Sequence, residues 1–358
     1  MEEGKRNYLI DNLKVFLLFF VVFGHIIEYY IDEYAFLKIV YLFIYFFHMP
    51  LFIFISGYLS KNIDKGRKGA IKNLLIPYVI FNIIWYTLAF IVTGKIMLLI
   101  IYPGWTLWYL ISLFFWRVSL KYLVKIPYII PVSILAGLLI GLLPRGGVVL
   151  SVSRTITFLP FFLIGYYMKE DVLLKVSMVG KRFSLIGVLI GIGVAIWVGK
   201  TGYVNYEFFY NSHSYLESGL TTTQGLLFRG ALYVGAALLS ICVLNLIPRQ
   251  RTFFTQLGER TMNIYIFHPY LTIGVYGIIY VIQYLTHNVW LSISLMFISP
   301  IGIIYLLSRK QTQKIYTGMF RPVNFVIYNP KLKASCRKGC HFMHLKAIKI
   351  GRRILKWI

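Results

Sequence analysis

Three histidines sit inside long apolar runs: His25 after Val21-Val22-Phe23-Gly24, His48 in Phe46-Phe47-His48-Met49-Pro50, and His268 in Tyr265-Ile266-Phe267-His268-Pro269. Imidazole exchanges a proton readily near neutral pH, so each ring is a candidate general base. An ionisable group in a membrane-length apolar run is expensive and marks function by default. Glu28 follows His25 by three residues, one helical turn on, within reach of the ring. Asp11 and Lys14 fall near the same helical face, but Asp11 is about 21 Å from His25 along an ideal helix and cannot touch it. His48 is the alternative base, or a donor to an oxyanion. Arg154 and Arg229 stand near the ends of apolar runs, where an arginine either snorkels or binds an anionic group or developing oxyanion. Lys61, Lys65, Arg67, Lys68 and Lys72 crowd into twelve residues and read as a seat for phosphates, with Arg67, Lys68 and Lys72 the chosen contacts. For the histidines the plainer reading is a hydrogen-bonded seam or a structural kink at Pro50 and Pro269.

The elements that must hold these side chains follow from composition. The chain has 358 residues, 58% of them apolar and only 14% charged. Soluble domains carry about 45–50% apolar and about 25% charged residues, so an ordinary soluble domain, a disordered chain and a secreted disulfide scaffold are excluded. Ten apolar segments approach the roughly 20 residues a membrane helix needs: 13–31, 37–59, 71–93, 105–123, 126–143, 155–168, 183–199, 225–247, 261–283 and 289–308. The expected fold is all-α, a polytopic bundle of about ten transmembrane helices.

With the N-terminus in the cytoplasm, 31 of the 37 Lys and Arg residues fall on the inner side, which predicts that both termini are cytoplasmic. Only Lys38, Lys95, Arg145, Arg154, Lys200 and Arg229 face outward in that scheme. Residues 309–358 hold 13 basic and no acidic side chains, more than half of the net charge of +25. The domain reading is a membrane domain over 1–308 and a basic cytoplasmic tail over 309–358 that lies on the inner leaflet. Positive-inside loops and a basic tail account for the charge, so no nucleic-acid partner is expected; membrane lipids are.

Other motif searches narrow the chemistry. Cys336-x3-Cys340-His341-x2-His344 lacks familiar zinc-finger spacing, and no metal is expected. There is no glycine-rich phosphate loop, no GxGxxG and no HExxH. Three cysteines cannot build a disulfide framework.

Arg6-Asn7-Tyr8-Leu9-Ile10-Asp11-Asn12-Leu13-Lys14 followed by Val22-Phe23-Gly24-His25 resembles the first helix of membrane acyltransferases of the acyltransferase 3 family. Phe47-His48-Met49-Pro50-Leu51-Phe52 through Ser56-Gly57-Tyr58 is similar to the second helix of its fucose 4-O-acetylase-like branch. Leu75-Ile76-Pro77-Tyr78, Trp108-Tyr109-Leu110, Ser153-Arg154-Thr155 through Gly165-Tyr166-Tyr167, and Ile264-Tyr265-Ile266-Phe267-His268 extend the likeness over roughly residues 6–308. The resemblance implies an O-acetyltransferase of a bacterial plasma membrane. It would move an acyl group, usually acetyl from acetyl-CoA, to a sugar hydroxyl of a surface polysaccharide, a lipid-linked glycan precursor or another envelope glycan, alongside envelope-biosynthesis partners. It implies that His25 is essential and that Arg67, Lys68 and Lys72 help to hold CoA. On this reading His25, His48 and Glu28 are catalytic, and Arg154, Arg229 and His268 meet the acceptor. The competing reading is a multi-pass transporter or flippase for a glycan or anionic substrate, which also has intramembrane charges and proline-broken helices.

Overall fold

Among the described residues, the histidines and arginines singled out above sit on helices. The computed structural model describes residues 7–94, 101–144 and 149–321, and every regular element among them is helical. In chain order these are α1 (Tyr8–Ile27), α2 (Ala35–Tyr58), α3 (Ile63–Ala70), α4 (Ile76–Thr93), α5 (Trp108–Leu123), α6 (Ile129–Leu139), α7 (Val152–Tyr167), α8 (Glu170–Val176), α9 (Lys181–Thr201), α10 (Thr222–Leu246), α11 (Thr261–Thr286), α12 (Val289–Leu307) and α13 (Lys310–Met319). The Asn7 side chain caps α1 by accepting from the Ile10 N–H, and Thr221 with Gln224 forms a capping box on α10. Gly94 and Gly202 end α4 and α9 in the left-handed conformation that glycine adopts without strain. Arg67, Lys68 and Lys72 lie where α3 runs through a π-helical turn, Ile71–Leu75, into α4.

Among the described residues eight helical stretches are long and apolar enough to cross a membrane: Tyr8–Tyr30, Ala35–Tyr58, Ile63–Thr93, Val149–Tyr167, Lys181–Thr201, Thr222–Leu246, Thr255–Thr286 and Val289–Leu307. The protein is a polytopic helical membrane protein. Eight of the ten expected segments are of full membrane length. The two remaining segments are helical but short. The 16 residues of α5 rise about 24 Å, and Ile129–Leu142 about 21 Å, against a hydrocarbon core of about 30 Å. Both nonetheless run between the two ends of the bundle. Trp108 at the start of α5 stacks under Arg154, while Arg117 near its end reaches Gly66 of α3. Tyr128 precedes α6 at one end, and Gly141 meets Tyr215 at the other.

One end of the bundle is basic. Lys61 donates to the carbonyls of Gly165, Tyr166 and Met168, closing the C-terminus of α7. Arg249 donates to the Ser177 carbonyl, and the Arg67 guanidinium lies over the Tyr122 ring. Asn12, fully buried, donates to Pro248 O and Gln250 O and accepts from the hydroxyls of Thr252 and Thr255. That one amide ties the α10–α11 connection to α1.

By backbone contacts the chain divides into Met1–Tyr305 and Leu306–Ile358. In the second unit α13 exposes Lys310. Residues 322–358 of the basic tail, with Cys336, Cys340, His341 and His344, lie outside the described residues, as do Lys95 and Arg145.

Candidate functional site

α1 carries His25 in its last turn and then tightens into a 3₁₀ turn over Glu28–Tyr30. That turn brings Glu28 Oε2 to 3.0 Å from His25 Nδ1. A carboxylate only accepts, so in the neutral ring Nδ1 carries the hydrogen and Nε2 keeps its lone pair. Trp105 packs edge-on against the imidazole at 4.7 Å, and the His268 ring stacks on it at 5.5 Å. The second oxygen of Glu28 accepts from the Tyr210 hydroxyl at 3.5 Å, and Tyr41 donates to that hydroxyl at 3.0 Å. Burial, and then the neighbouring Glu28 carboxylate, push the Tyr210 phenol well above its ordinary range, so it stays a donor.

A cavity of about 310 Å³ opens beside this pair, in the size range of small-ligand sites. His25, Glu28, His48 and Arg154 all line it, with Trp105, Trp108, Tyr45 and Tyr210 as aromatic walls and Ser212 and His213 as polar ones. His48 lies on α2 two residues before Pro50, and its Nδ1 is 2.7 Å from the Ile44 carbonyl. A carbonyl can only accept, so the neutral His48 ring offers the cavity an acceptor nitrogen and no donor. Arg154, in the first turn of α7, is held over Trp108 by donating from Nε to Tyr210 O at 2.9 Å and from Nη2 to Ser212 Oγ at 3.3 Å. Its Nη1 makes no hydrogen bond among the described residues.

Two expected acceptor contacts fall elsewhere. His268 is fully buried behind His25, with Nδ1 3.0 Å from Ile264 O and Nε2 without a partner among the described residues. Arg229 is fully buried and lines a second, much smaller cavity beneath the first, sharing Tyr45 and Phe158 with it. Its guanidinium lies about 5 Å from the Tyr215 and Phe208 rings and donates to Thr157 Oγ1 at 3.2 Å.

A third cavity, of about 150 Å³, lies toward the basic end and is lined by Lys14, Arg117, Ser56, Tyr109, Thr261 and Tyr265, among others. Lys14 pairs with Asp11 at 2.8 Å. This cavity and the His25 cavity nearly meet. On α5 the lining passes from Trp108 to Tyr109, on α2 from Met49 to Phe52, and on α11 from Tyr265 to the His268 that backs His25. Tyr109, Phe52 and Tyr265 line the smaller cavity on the side toward the first, the Tyr109 ring 5.2 Å from Phe52 and 5.3 Å from Tyr265. Ser56 Oγ donates to Phe52 O, so the Tyr109 hydroxyl is the donor in its 2.6 Å contact with Ser56. Arg67 is half-buried, while Lys68 and Lys72 are exposed at the same basic end.

The acyltransferase domain family matches residues 7–309, most of the chain. The chain belongs to the acyltransferase 3 family. It is thus a membrane acyltransferase, and the histidine-lined cavity lies within its matched region. No curated protein and no solved structure matches the chain.

Sequence reasoning passed over several residues of this acyltransferase that the fold brings to the two cavities. Trp105 and Tyr45 gave no signal among 63 aromatic residues, and Tyr109 stood out only within the Trp108-Tyr109-Leu110 motif. Arg117 did give one, as a cation inside an apolar run beside Trp116, but it was absorbed into the count of inner-loop charges. Among the described residues no group of three or more His, Cys, Asp or Glu side chains comes together as a metal site.

Proposed function

We propose that this acyltransferase moves an acetyl group from cytoplasmic acetyl-CoA to a sugar hydroxyl of an envelope glycan, in the manner of the fucose 4-O-acetylase-like branch its motifs resemble. The observation that carries the reading is a pair of neighbouring cavities, the first lined by Met49 and Trp108 and the second by Phe52 and Tyr109 of the same two helices. One holds an oriented imidazole, and the other is entered from a basic end. Transfer from a thioester to a hydroxyl needs a base, a stabiliser for the tetrahedral oxyanion, and a path by which both substrates reach them.

His25 Nε2 takes the proton as the sugar oxygen attacks the thioester carbonyl. Glu28 holds the ring by Nδ1 and stabilises the imidazolium that results. The free Nη1 of Arg154 is the strongest donor in the cavity for the oxyanion. When the C–S bond breaks, His25 returns its proton to the departing thiolate, so the ring ends as it began. His48 is placed as a second acceptor toward the sugar. Lys14 and Arg117 line the donor's way in, with Arg67, Lys68 and Lys72 at the phosphates. The aromatic walls suit a carbohydrate, whose C–H faces pack on rings while its hydroxyls reach Glu28 and Ser212.

The test uses vesicles holding the purified protein, acetyl-labelled acetyl-CoA and a lipid-linked or polymeric glycan. Label should pass to the glycan with wild type and fall to background with His25→Ala, which should fold and express normally. Wild-type rates in His25→Ala would remove His25 from the reaction. CoA binding without transfer to any glycan supplied would overturn the acceptor class.

A further inference from the structure

The loop between α9 and α10 has two faces. Tyr210, Ser212 and His213 turn toward the His25 cavity. Val204 and Phe208 turn the other way, into a furrow of about 330 Å³ between α9 and α10, and Phe209 is a wall of both. The furrow is apolar along its whole length, from Trp197, Val198 and Phe228 at the loop to Gly187 and Cys242 at its foot. A Cβ added at Gly187 would lie 2.4 Å from the Cys242 sulfur, so the two helices close the lower end. From Phe228 to Cys242 the furrow follows fourteen residues of α10, about 21 Å, or two-thirds of the hydrocarbon thickness. Its rim includes Ile190, Trp197 and Leu238, each more than half exposed on the lipid-facing side of the bundle. Gly235 leaves its wall open, since nothing lies within 4 Å of a Cβ built there, whereas Gly191 lets Leu239 and Phe43 pack close against α9.

We propose that this furrow holds the hydrocarbon chain of a lipid-anchored acceptor, whose sugar head turns over Phe209 into the His25 cavity. The inference rests on the proposed acyl transfer for what happens to the head, but the seating of the chain is independent of it. A ligand that spans one polar and one apolar cavity across a shared wall must itself be amphipathic. The furrow runs along the helices, as a chain anchored in the bilayer does. Lodging the chain would fix the position of the sugar before reaction, converting a search in the membrane plane into an oriented encounter.

The test uses the full-length protein in phosphatidylcholine nanodiscs and a hexose joined through a diphosphate to a diazirine-bearing polyprenyl chain. After irradiation, label is expected in peptides covering 187–209 and 228–242. Excess unlabelled anchored hexose should reduce it at least fivefold, and equal amounts of free hexose or phosphatidylglycerol should not. Gly235→Trp adds its side chain at a furrow-lining position whose Cβ meets nothing within 4 Å, and should lower labelling at least fivefold with an unchanged melting temperature. Val234→Trp, one residue away and outside the furrow lining, should leave labelling at the wild-type level. Label spread evenly over the lipid-facing helices, or displaced equally well by phosphatidylglycerol, would make the furrow part of the ordinary lipid belt and overturn the proposal. In acetyl transfer, Gly235→Trp should lose at least tenfold in kcat/KM with the anchored acceptor and nothing with a soluble glycan fragment. Equal losses with both acceptors would also overturn it. Furrow labelling without transfer to any acceptor would instead sink the acyl-transfer reading and leave the furrow standing.

Discussion

The His25–Glu28 contact is made by one helical turn of one element, so it can be tested without disturbing the bundle. Glu28→Gln keeps the size of the side chain and a possible acceptor for Nδ1–H, but removes the charge that stabilises the imidazolium. Transfer should fall by about 10² or more in kcat, since positioned acid–base catalysis contributes roughly 10²–10⁴-fold. CoA binding, which the proposal places at the other cavity, should be unchanged in a direct titration. A loss confined to KM would assign Glu28 to the acceptor instead. Arg154→Lys asks a separate question. Lysine keeps the charge but cannot hold Tyr210 O and Ser212 Oγ while presenting a third nitrogen. It should cost kcat about tenfold or more while leaving thermal stability within about 1 kcal/mol of wild type, as for most substitutions that leave a core intact.

Pairing of elements governs the next scale, and two glycines decide the closest crossing. A Cβ at Gly57 of α2 would fall 1.9 Å from Phe162 O of α7, and one at Gly165 of α7 would fall 1.9 Å from Phe54 O of α2. The backbones touch reciprocally, and that contact sets the height of His48 against Arg154. Gly57→Ala or Gly165→Ala should each destabilise by about 1–3 kcal/mol, read as a lower melting temperature in detergent, because neither neighbour is a side chain that can rotate away. Gly235→Ala, with open space around it, should not. The Ser56-Gly57 pair already suggested a close approach in the sequence, but its partner on α7 could not be read from α2. The same division runs through the whole site. Periodicity and helical spacing made nearly all the helices and the His25–Glu28 turn legible. Asn12, by contrast, sits between two charged candidates and looks incidental, yet it makes four long-range hydrogen bonds. Lys61 read as part of a phosphate cluster, but the frayed end of α7, one hundred residues away, claims it. Partners supplied by tertiary folding leave no local pattern. What apolarity did not show is that α5 and the Ile129–Leu142 stretch are shorter than the other helices.

At the scale of the whole molecule the proposal is that the two substrates enter from opposite ends and meet near Tyr109, between two neighbouring cavities. Tyr109 is the place to test it. Its ring lies between Phe52 and Tyr265, and its hydroxyl donates to Ser56, on the side of the smaller cavity next to Trp108. A pantetheine arm is narrow, and on this proposal it passes the Tyr109 ring. Tyr109→Trp enlarges the ring and removes the hydroxyl that keeps it in place. It should leave CoA affinity at the basic end close to wild type, measured by titration calorimetry, while acetyl transfer drops at least tenfold. Tyr109→Phe keeps the ring and loses only the Ser56 contact, so it should transfer at wild-type rate or faster. The two variants bracket the idea, because a purely structural role for Tyr109 would make both unstable and slow. If Tyr109→Trp instead transferred acetyl at the wild-type rate, the thioester would not be passing this ring, and the donor would have to reach His25 from the same side as the sugar.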